Sequence, residues 1–462
     1  MRVQGEHKRS GFFWLPSTPD KKVPGTVNIF DGGLVTLEIV GLLDESIEAL
    51  NGKEDLSRIV GNIEKEGFIT LERCFYKRKT ISFGGISTSL IHANLALSCV
   101  GYEKDEKITF STFSFHVEGL DEWLATTGLS FDYDRPSKSA AIYYTPPPEV
   151  SVKLENGLSL TIKFQHTLPR SNSITEAKIT QRAFLELSSE AEIELDEFIE
   201  TAHKLNYLLC FALDSTASIN NVAATSRTLI NQVSETSSIP VKVNIHYRST
   251  PHSEAAPVID PHKILFTFKN IEKDAEKVIN NWLNAYKIIR PSMGLYFSAA
   301  TGVHKYLDGK FLALAQALET FHRRTSSETL MENSKFRSLV ARSILSAPKE
   351  SRRWLWGRLI NGNEISLSQR IKKIIMPFNK NIGNAKERGK LIRKIVDTRN
   401  YLTHYSESLE EKTTKGLDLW DTCQKMEAIF QLHLLSQLGL EKEQIQEILK
   451  INYKLHQKLR PS

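Results

Sequence analysis

The period of the apolar residues changes once along the chain, near residue 270, and that change limits the fold more than any other feature. Before it, short apolar runs alternate with period two between turn residues. After it, apolar residues recur at spacings of three and four. The chain is therefore expected to be α+β, with a β-rich, sandwich-like domain over 1–270 and an all-α bundle of four to six helices over 271–462. Pro146-Pro147-Pro148 cannot donate to a ladder and marks a candidate subdivision of the first domain near 146–150.

In the first half, Val27 to Phe30 and Leu34 to Val40 flank Asp31-Gly32-Gly33 as a hairpin. Ile108 and Phe110 alternate with polar residues, and the phase then shifts at Ser111-Thr112 to Phe113, Phe115 and Val117, as a β-bulge requires. Val150, Val152 and Leu154 lead to Asn156-Gly157, which suits a type I′ turn, and Leu158 to Phe164 alternate away from it. A helix is expected from Leu195 to Leu213, and strands at Val241 to Tyr247 and Ile264 to Phe268. The helices of the second half are expected at Glu272 to Ile289, Leu307 to Arg323, Lys335 to Leu345, Ser366 to Ile375, Ala385 to Tyr405 and Leu417 to Leu438. Gly439 then supplies a stop, and Lys442 to Tyr453 makes a last helix.

The hydrophobic and charged fractions, 40% and 25%, exclude a disordered or collagenous chain. The longest apolar run, near Leu208 to Leu213, is too short to cross a bilayer, so no membrane partner is expected. Met1 to Ser10 is polar and basic and lacks the pattern of a secretory signal, which predicts a cytoplasmic protein. Cys74, Cys99, Cys210 and Cys423 lie far apart and read as isolated buried thiols. His203 sits on a helix without a second ligand type at helical spacing, and His246, His252 and His262 match no metal pattern. Gly32-Gly33 and Gly84-Gly85 lack the Lys-Ser/Thr of a phosphate loop and read as turns. No metal or other cofactor is expected.

The formal charge of +6 is an average of two unlike halves: residues 1–270 carry −7 and residues 271–462 carry +13. Positive density peaks between Arg370 and His404, where ten Lys and Arg face Glu387 and Asp397. A phosphate-rich partner is the natural inference, and Lys386, Arg388, Lys390, Arg393 and Lys394 are the candidate RNA-binding residues. Charge alone leaves a solvated helix face open.

Within that stretch, Asp397-Thr-Arg-Asn-Tyr-Leu-Thr-His404 places Arg399, Asn400 and His404 in two turns. At about 100° per residue Asn400 and His404 share a face, while Arg399 and His404 diverge by roughly 140°. The stripe Ile392, Ile395, Val396 and Leu402 runs past Arg399, so this guanidinium sits where a core or interface residue belongs. The trio suits metal-independent RNA cleavage: His404 moves a proton at the ribose 2′-oxygen or the leaving 5′-oxygen, Arg399 stabilises the phosphate, and Asn400 orients either group. One imidazole serves one proton transfer at a time, and a symmetric dimer would supply the second. Arg2 and His7 show the same spacing by chance in the N-terminal tail.

Arg399-Asn-x-x-x-His404 on the penultimate long helix of a small bundle resembles the HEPN superfamily. Phe311-Leu-Ala-Leu-Ala-Gln-Ala-Leu-Glu319 with Phe321, and Trp282 before them, resemble the first core helix of its ApeA-like branch. Gly11-Phe-Phe-Trp-Leu-Pro16, Pro24-Gly25, the glycines 84, 85 and 101, and Leu120-Asp-Glu-Trp123 are similar to that branch's N-terminal domain. The resemblance implies an anti-phage, abortive-infection RNase that forms a homodimer through its HEPN domains and cleaves cellular RNA, such as tRNA, in response to a phage-derived trigger. It implies catalytic roles for Arg399, Asn400 and His404, and a regulatory role for the β-rich domain. The alternatives are a non-catalytic RNA- or nucleotide-binding HEPN module and an assembly protein. Glu319 lies on the side of such a site, although a solvated helical glutamate is the simpler expectation. Tyr401 and Tyr405 are expected to pack or to be partly exposed. The patch Arg352-Arg-Trp-Leu-Trp-Gly-Arg358 alternates cations and rings as a single-strand binder does, but packing of Trp354 and Trp356 at a helix edge is the favoured expectation.

Overall fold

Alternating apolar residues give the first six strands one buried face each, and the six curl until the two ends of their ladder meet. The structure, a computed structural model, describes residues 1–44, 55–82, 84–169, 174–234, 237–405 and 407–460. It divides into two compact units, residues 1–280 and 281–462. The strands are β1 (His7–Trp14), β2 (Val23–Ile29), β3 (Val35–Val40), β4 (Asp55–Ile63), β5 (Gly67–Thr80) and β6 (Thr88–Ser98). They pair antiparallel in the order β6-β3-β2-β1-β4-β5, and β5 returns to β6, closing a barrel. Phe13, Val27, Leu37, Ile59, Leu71 and Ile91 fill it, as expected of a small barrel with room only for side chains. Gly61 is required there: a Cβ would stand 2.5 Å from the Phe13 ring. The hairpin at Gly32-Gly33 holds as expected, with Ile29 opposite Val35.

The sheet continues beyond the barrel through β16 (Val243–Tyr247), which shares an edge of β6 with β3. Beyond β16 lie β13 (Ile219–Thr225), β7 (Thr109–Val117), β12 (Thr180–Glu194), β11 (Ser159–Thr167) and β10 (Val150–Lys153). Two separate ribbons pair β8 (Leu129–Asp134) with β9 (Ser139–Tyr144), and β14 (Ile230–Ser234) with β15 (Ser237–Pro240). The phase shift at Ser111 is real, with Phe110 and Phe113 both buried, but the extra residues that cause it lie on β12, between Ser188 and Ile193. The β10–β11 turn differs from the expected type I′. Gly157 donates to Leu154 O (3.0 Å), Leu154 donates to Leu158 O (2.8 Å), and of Asn156-Gly157 the glycine has positive φ (+88°). This is a type I turn closed by a glycine bulge, which spares Asn156 a left-handed backbone.

Among the described residues, two α-helices belong to this unit's β-rich part, α1 (Leu120–Leu124) and α2 (Leu195–Leu213), the latter with the expected bounds. Phe198 of α2 stacks on Phe113 of β7 at 5.8 Å. Ile264 to Phe268 is not the expected strand. Its apolar residues are buried, and Leu265 donates to Ala212 O (2.7 Å) at the end of α2, so the run plugs a helix end and joins no ladder. The histidines go separate ways. His203 packs edge-on against Tyr207 (4.7 Å), His246 lies beside His7 (5.3 Å), and His252 bonds Ser218 Oγ (3.1 Å). Cys74, Cys210 and Cys423 are buried, whereas Cys99 is exposed, contrary to expectation.

The remaining helices are α3 (Ala275–Ala300), α4 (Leu307–Thr325), α5 (Asn333–Ser346), α6 (Arg352–Leu359), α7 (Leu367–Ile375), α8 (Ala385–His404), α9 (Glu407–Glu410), α10 (Gly416–Gln437), α11 (Lys442–Ile451) and α12 (Tyr453–Leu459). α3 runs past its expected end because it kinks at Ile289, before Pro291, and resumes. The expected last helix divides at Asn452, whose side chain caps α12. α10 is buried on nearly every side from Leu419 onward and forms the centre of the bundle. Its Phe430 stacks on Tyr296 (4.8 Å), and its His433 lies between Phe321 and Phe378 (4.8 and 5.0 Å). No helix among the described residues is long and apolar enough to cross a membrane.

Candidate active site

The helix that carries the Arg-Asn-x-x-x-His sequence is fixed at both ends by local chemistry. Asn384 accepts from the N–H groups of Lys386 (2.9 Å) and Glu387 (3.1 Å), and Glu387 accepts from the Asn384 N–H (2.7 Å), a reciprocal cap that starts α8. At the other end Tyr405 donates to Tyr401 O (2.6 Å) with φ +49°, a left-handed backbone that a tyrosine adopts at a cost. The buried stripe is Leu391, Ile395, Thr398 and Leu402. Thr398 is fully buried, and its hydroxyl accepts from the Thr414 N–H (3.0 Å). This stripe corrects the expected one: Ile392 and Val396 are half-buried, so Arg399 stands at the edge of the core stripe, one third exposed.

Arg399 Nη2 pairs with Glu319 of α4 at 3.5 Å, and Nη1 donates to Asn400 Oδ1 at 3.3 Å. Glu319 is not the solvated glutamate that its helical position suggested. Its side chain is 16% exposed and also accepts from Arg323 (3.1 Å). The chain of charges continues along the surface and ends at the buried Arg370. Arg323 pairs with Glu364 (2.5 Å), Glu364 with Arg370 (3.3 Å), and Arg370 approaches His322 Nδ1 (3.4 Å). Burial and the neighbouring Arg323 push the Arg370 pKa down, and burial and Arg370 do the same to His322. Burial opposes the Arg323 charge, but Glu364 and Glu319 outweigh it and raise that pKa. Arg399 is thus one end of a network of three guanidiniums and two carboxylates, which restrains its orientation.

His404, the last residue of α8, is exposed. By helical geometry it lies in line with Lys386, Lys390, Arg393 and Asn400, all within an arc of about 80°, along a stripe of about 27 Å. Lys386, Lys390 and Arg393 are exposed on that stripe. The other two candidate RNA contacts are engaged elsewhere. Arg388 donates to the carbonyls of Asn379 (2.9 Å) and Gly383, and Lys394 pairs with Asp418. A single copy therefore joins Arg399 to Asn400 and leaves His404 on the outer stripe. Tyr401 is half-buried and Tyr405 exposed, with their rings 5.4 Å apart.

Chemically, the arrangement offers a fixed cation for a phosphate, an amide beside it, and an exposed imidazole at the end of a cationic track. Glu319 was placed on the side of the site by the resemblance but was expected to be solvated, because the signal that settles it lies in the fold: Arg323 and Glu319 are four apart on α4, but their link to Arg399 crosses between helices. The contrary surprise is the Arg352 to Arg358 patch. Trp354 and Trp356 are 64% and 52% exposed, so the expected packing at a helix edge does not occur.

The comparisons agree with this layout. The model of ApeA N-terminal domain 1 matches residues 8–282, and that of the Apea-like HEPN domain matches residues 312–444. No curated protein and no solved structure matches the chain. HEPN domains generally act on RNA as endoribonucleases and dimerise, which supports a nuclease-type function for the helical unit. With more than half of its length matched by the first model and the second following in order, the chain belongs to the ApeA-type family, an ApeA N-terminal domain joined to an Apea-like HEPN domain.

Proposed function

We propose that this protein is a metal-independent RNA endonuclease in which Arg399, Asn400 and His404 carry the chemistry. The observation that supports it best is the pairing of a network-held Arg399 with an exposed His404 at the end of a cationic stripe. His404 removes the proton from a ribose 2′-hydroxyl or delivers one to the departing 5′-oxygen. Arg399 stabilises the charge that builds on the phosphate, and Asn400 orients the guanidinium. Attack by the 2′-oxygen breaks the P–O5′ bond and leaves a 2′,3′-cyclic phosphate. Because Arg399 and His404 lie about 140° apart around α8, a composite site in a homodimer, built from two copies of the helix, supplies both proton transfers.

In this reading the enzyme serves anti-phage abortive infection. The acidic β-rich domain over 1–270 senses a phage-derived trigger, and the helical domain over 271–462 then cleaves cellular RNA such as tRNA. Purified protein should cleave structured RNA in the presence of a chelator and yield cyclic-phosphate ends. Arg399→Ala and His404→Ala should each lower the rate by about a thousandfold with the fold intact. Equal cleavage by wild type and both variants would overturn the assignment. In cells, overexpressed wild type should arrest growth and His404→Ala should not.

A second reading, a non-catalytic RNA- or nucleotide-binding module, draws support from the Arg399–Glu319 pair, which already neutralises the cation. It predicts tight, steeply salt-dependent RNA binding without cyclic-phosphate product.

A further inference from the structure

Between α4 and α7 the chain leaves the bundle and returns. α5 buries Val340, while all eight residues of α6 are half-buried or exposed. The excursion is nevertheless fixed in shape. At its neck Asn363, 6% exposed, bonds Met331 N (2.9 Å), Met331 O (2.9 Å) and Asn333 Oδ1 (2.9 Å), and its carbonyl accepts from Leu330 (2.9 Å). At its bend Arg352 of α6 donates to the carbonyls of Leu345 (2.9 Å) and Ala347 (3.0 Å) at the end of α5. Residues 332–360 carry seven Lys or Arg and two Glu.

We infer that the α5–α6 excursion is an RNA-binding arm that grips single-stranded segments by stacking bases on Trp354 and Trp356 while its arginines hold the backbone. Two large rings more than half exposed are unusual on a soluble surface unless something covers them. The inward side of α6 is Leu355 and Leu359. Trp354 stands on one flank with Arg358, whose guanidinium lies 5.9 Å from its ring, and Trp356 stands on the other flank, three residues from Arg353. Trp354 thus has a cation against its ring, and Arg353 lies one helical turn from Trp356, an arrangement suited to binding a base face and the adjacent phosphate together. On the crest between the flanks is Gly357, where an added Cβ would meet open space. A glycine there weakens the helix but leaves bare backbone that a ribose can approach. The seven-to-two charge excess selects a polyanion over a second copy of this equally basic surface.

The arm also connects to the candidate active site. Glu364, next to the neck residue Asn363, pairs with Arg323 (2.5 Å); Arg323 pairs with Glu319 (3.1 Å), and Glu319 pairs with Arg399 (3.5 Å). The neck of the arm is therefore joined to the network that contacts Arg399. The inference rests on the nuclease reading for its purpose but is measured without cleavage.

The test is equilibrium binding of a fluorescent 20-nucleotide oligouridylate to the full chain carrying His404→Ala, alone and with Trp354→Ala/Trp356→Ala. Circular dichroism serves as the check on fold. Binding by the His404→Ala chain should quench tryptophan fluorescence, and the double ring substitution should weaken it at least tenfold. Arg353→Gln/Arg358→Gln should lower the slope of log affinity against log salt by about one to two. Affinity unchanged within twofold on loss of both rings would overturn the arm. So would self-association of the full chain that the same substitutions abolish, since the rings would then serve a protein interface. Absence of cleavage by wild type, with ring-dependent binding intact, would remove the nuclease reading and leave the arm standing.

Discussion

The β-rich and helical units use their cations differently. In the first, the most buried guanidiniums are saturated. Arg2 pairs with Asp31 and Glu118, and Arg58 pairs with Glu72, donates to the carbonyls of Glu103 and Glu106, and lies over the Tyr102 ring. In the second, cations close in sequence have unlike fates. Arg370, Arg388 and Lys394 are engaged by protein groups, while Lys386, Lys390 and Arg393 stand exposed. The difference teaches that a charge excess counted along a sequence overstates the free positive surface. In the helical unit one side of α8 and the α5–α6 arm carry part of that free surface.

The sharpest test sets a saturated cation against a free one. Arg58→Ala strips the partner from Glu72, a carboxylate whose side chain is 16% exposed. It should cost about 3–5 kcal/mol, because the remaining charge is buried without compensation. Arg393→Ala, on the exposed side of α8, should change stability by less than about 0.5 kcal/mol. Urea unfolding of each variant measures both, and comparable losses would erase the distinction between the units.

A smaller effect should be shared by the two units, since each buries a neutral imidazole. Burial, helped by the neighbouring His7, lowers the His246 pKa to about 4, and burial lowers that of His433 to about 4 even though its Nε2 bonds Ile374 O (2.8 Å). Both begin from 6.5 when unfolded. Below 6.5 the unfolded chain takes up protons that the folded one refuses until about 4. Stability is therefore complete above 6.5 and falls as pH drops towards 4, by up to about 3 kcal/mol per histidine. Glu66, held down to about 2 chiefly by its bond to His7, adds its own loss only below 4.5. Hydrogen exchange followed between pH 6.5 and 4.5 should show both units loosening. His433→Phe should shrink the slope of the helical unit alone, with His322 leaving a remainder, and an equal reduction of both slopes in that variant would mean that the units unfold together.

Much of this was legible in sequence, and the failures have physical causes. The bounds of α2 and the core of α8 follow from local periodicity and caps, which need no knowledge of the rest of the chain. Barrel closure depends on β5 meeting β6 along its other edge, a pairing that alternation cannot register. Ile264 to Phe268 has the composition of a strand but finds a helix end before it finds a ladder. The Trp354 and Trp356 expectation failed because large rings are usually core, and composition cannot signal that a helix has left the bundle. For the site, Arg399, Asn400 and His404 were readable as a motif. Glu319 was placed beside it only by resemblance and its ion pair was not readable, because the partner lies 80 residues away on another helix.

Glu319→Gln probes that unreadable contact. It keeps the shape of the side chain and removes the charge that holds both Arg323 and Arg399. If the nuclease reading holds, the cleavage rate should fall by about tenfold, roughly 1.4 kcal/mol of barrier, because the guanidinium loses its fixed orientation but keeps its charge. Stability should change by about 1 kcal/mol or less, as expected for partly exposed pairs. A rate equal to wild type in single-turnover assays would show that the network serves packing and not the site.

The smallest effect per residue belongs to the outer stripe, and it tests the comparison where the two kinds of cation lie closest. Lys386, Lys390 and Arg393 have no structural bond to lose among the contacts described, so replacing all three by Gln should leave urea stability within about 0.5 kcal/mol. If the nuclease reading holds and these residues contact RNA, the slope of log affinity against log salt should shrink by about 0.7 to 0.9 for each residue that contacts phosphate. Arg388→Gln and Lys394→Gln should do the reverse. Those side chains already satisfy the Asn379 and Gly383 carbonyls and Asp418, so their loss should lower stability by about 1 kcal/mol and leave the salt slope unchanged. If all five substitutions shift the slope alike, the engaged cations exchange their protein partners for phosphate when RNA arrives. The free surface of α8 would then be set by the ligand and not by the fold.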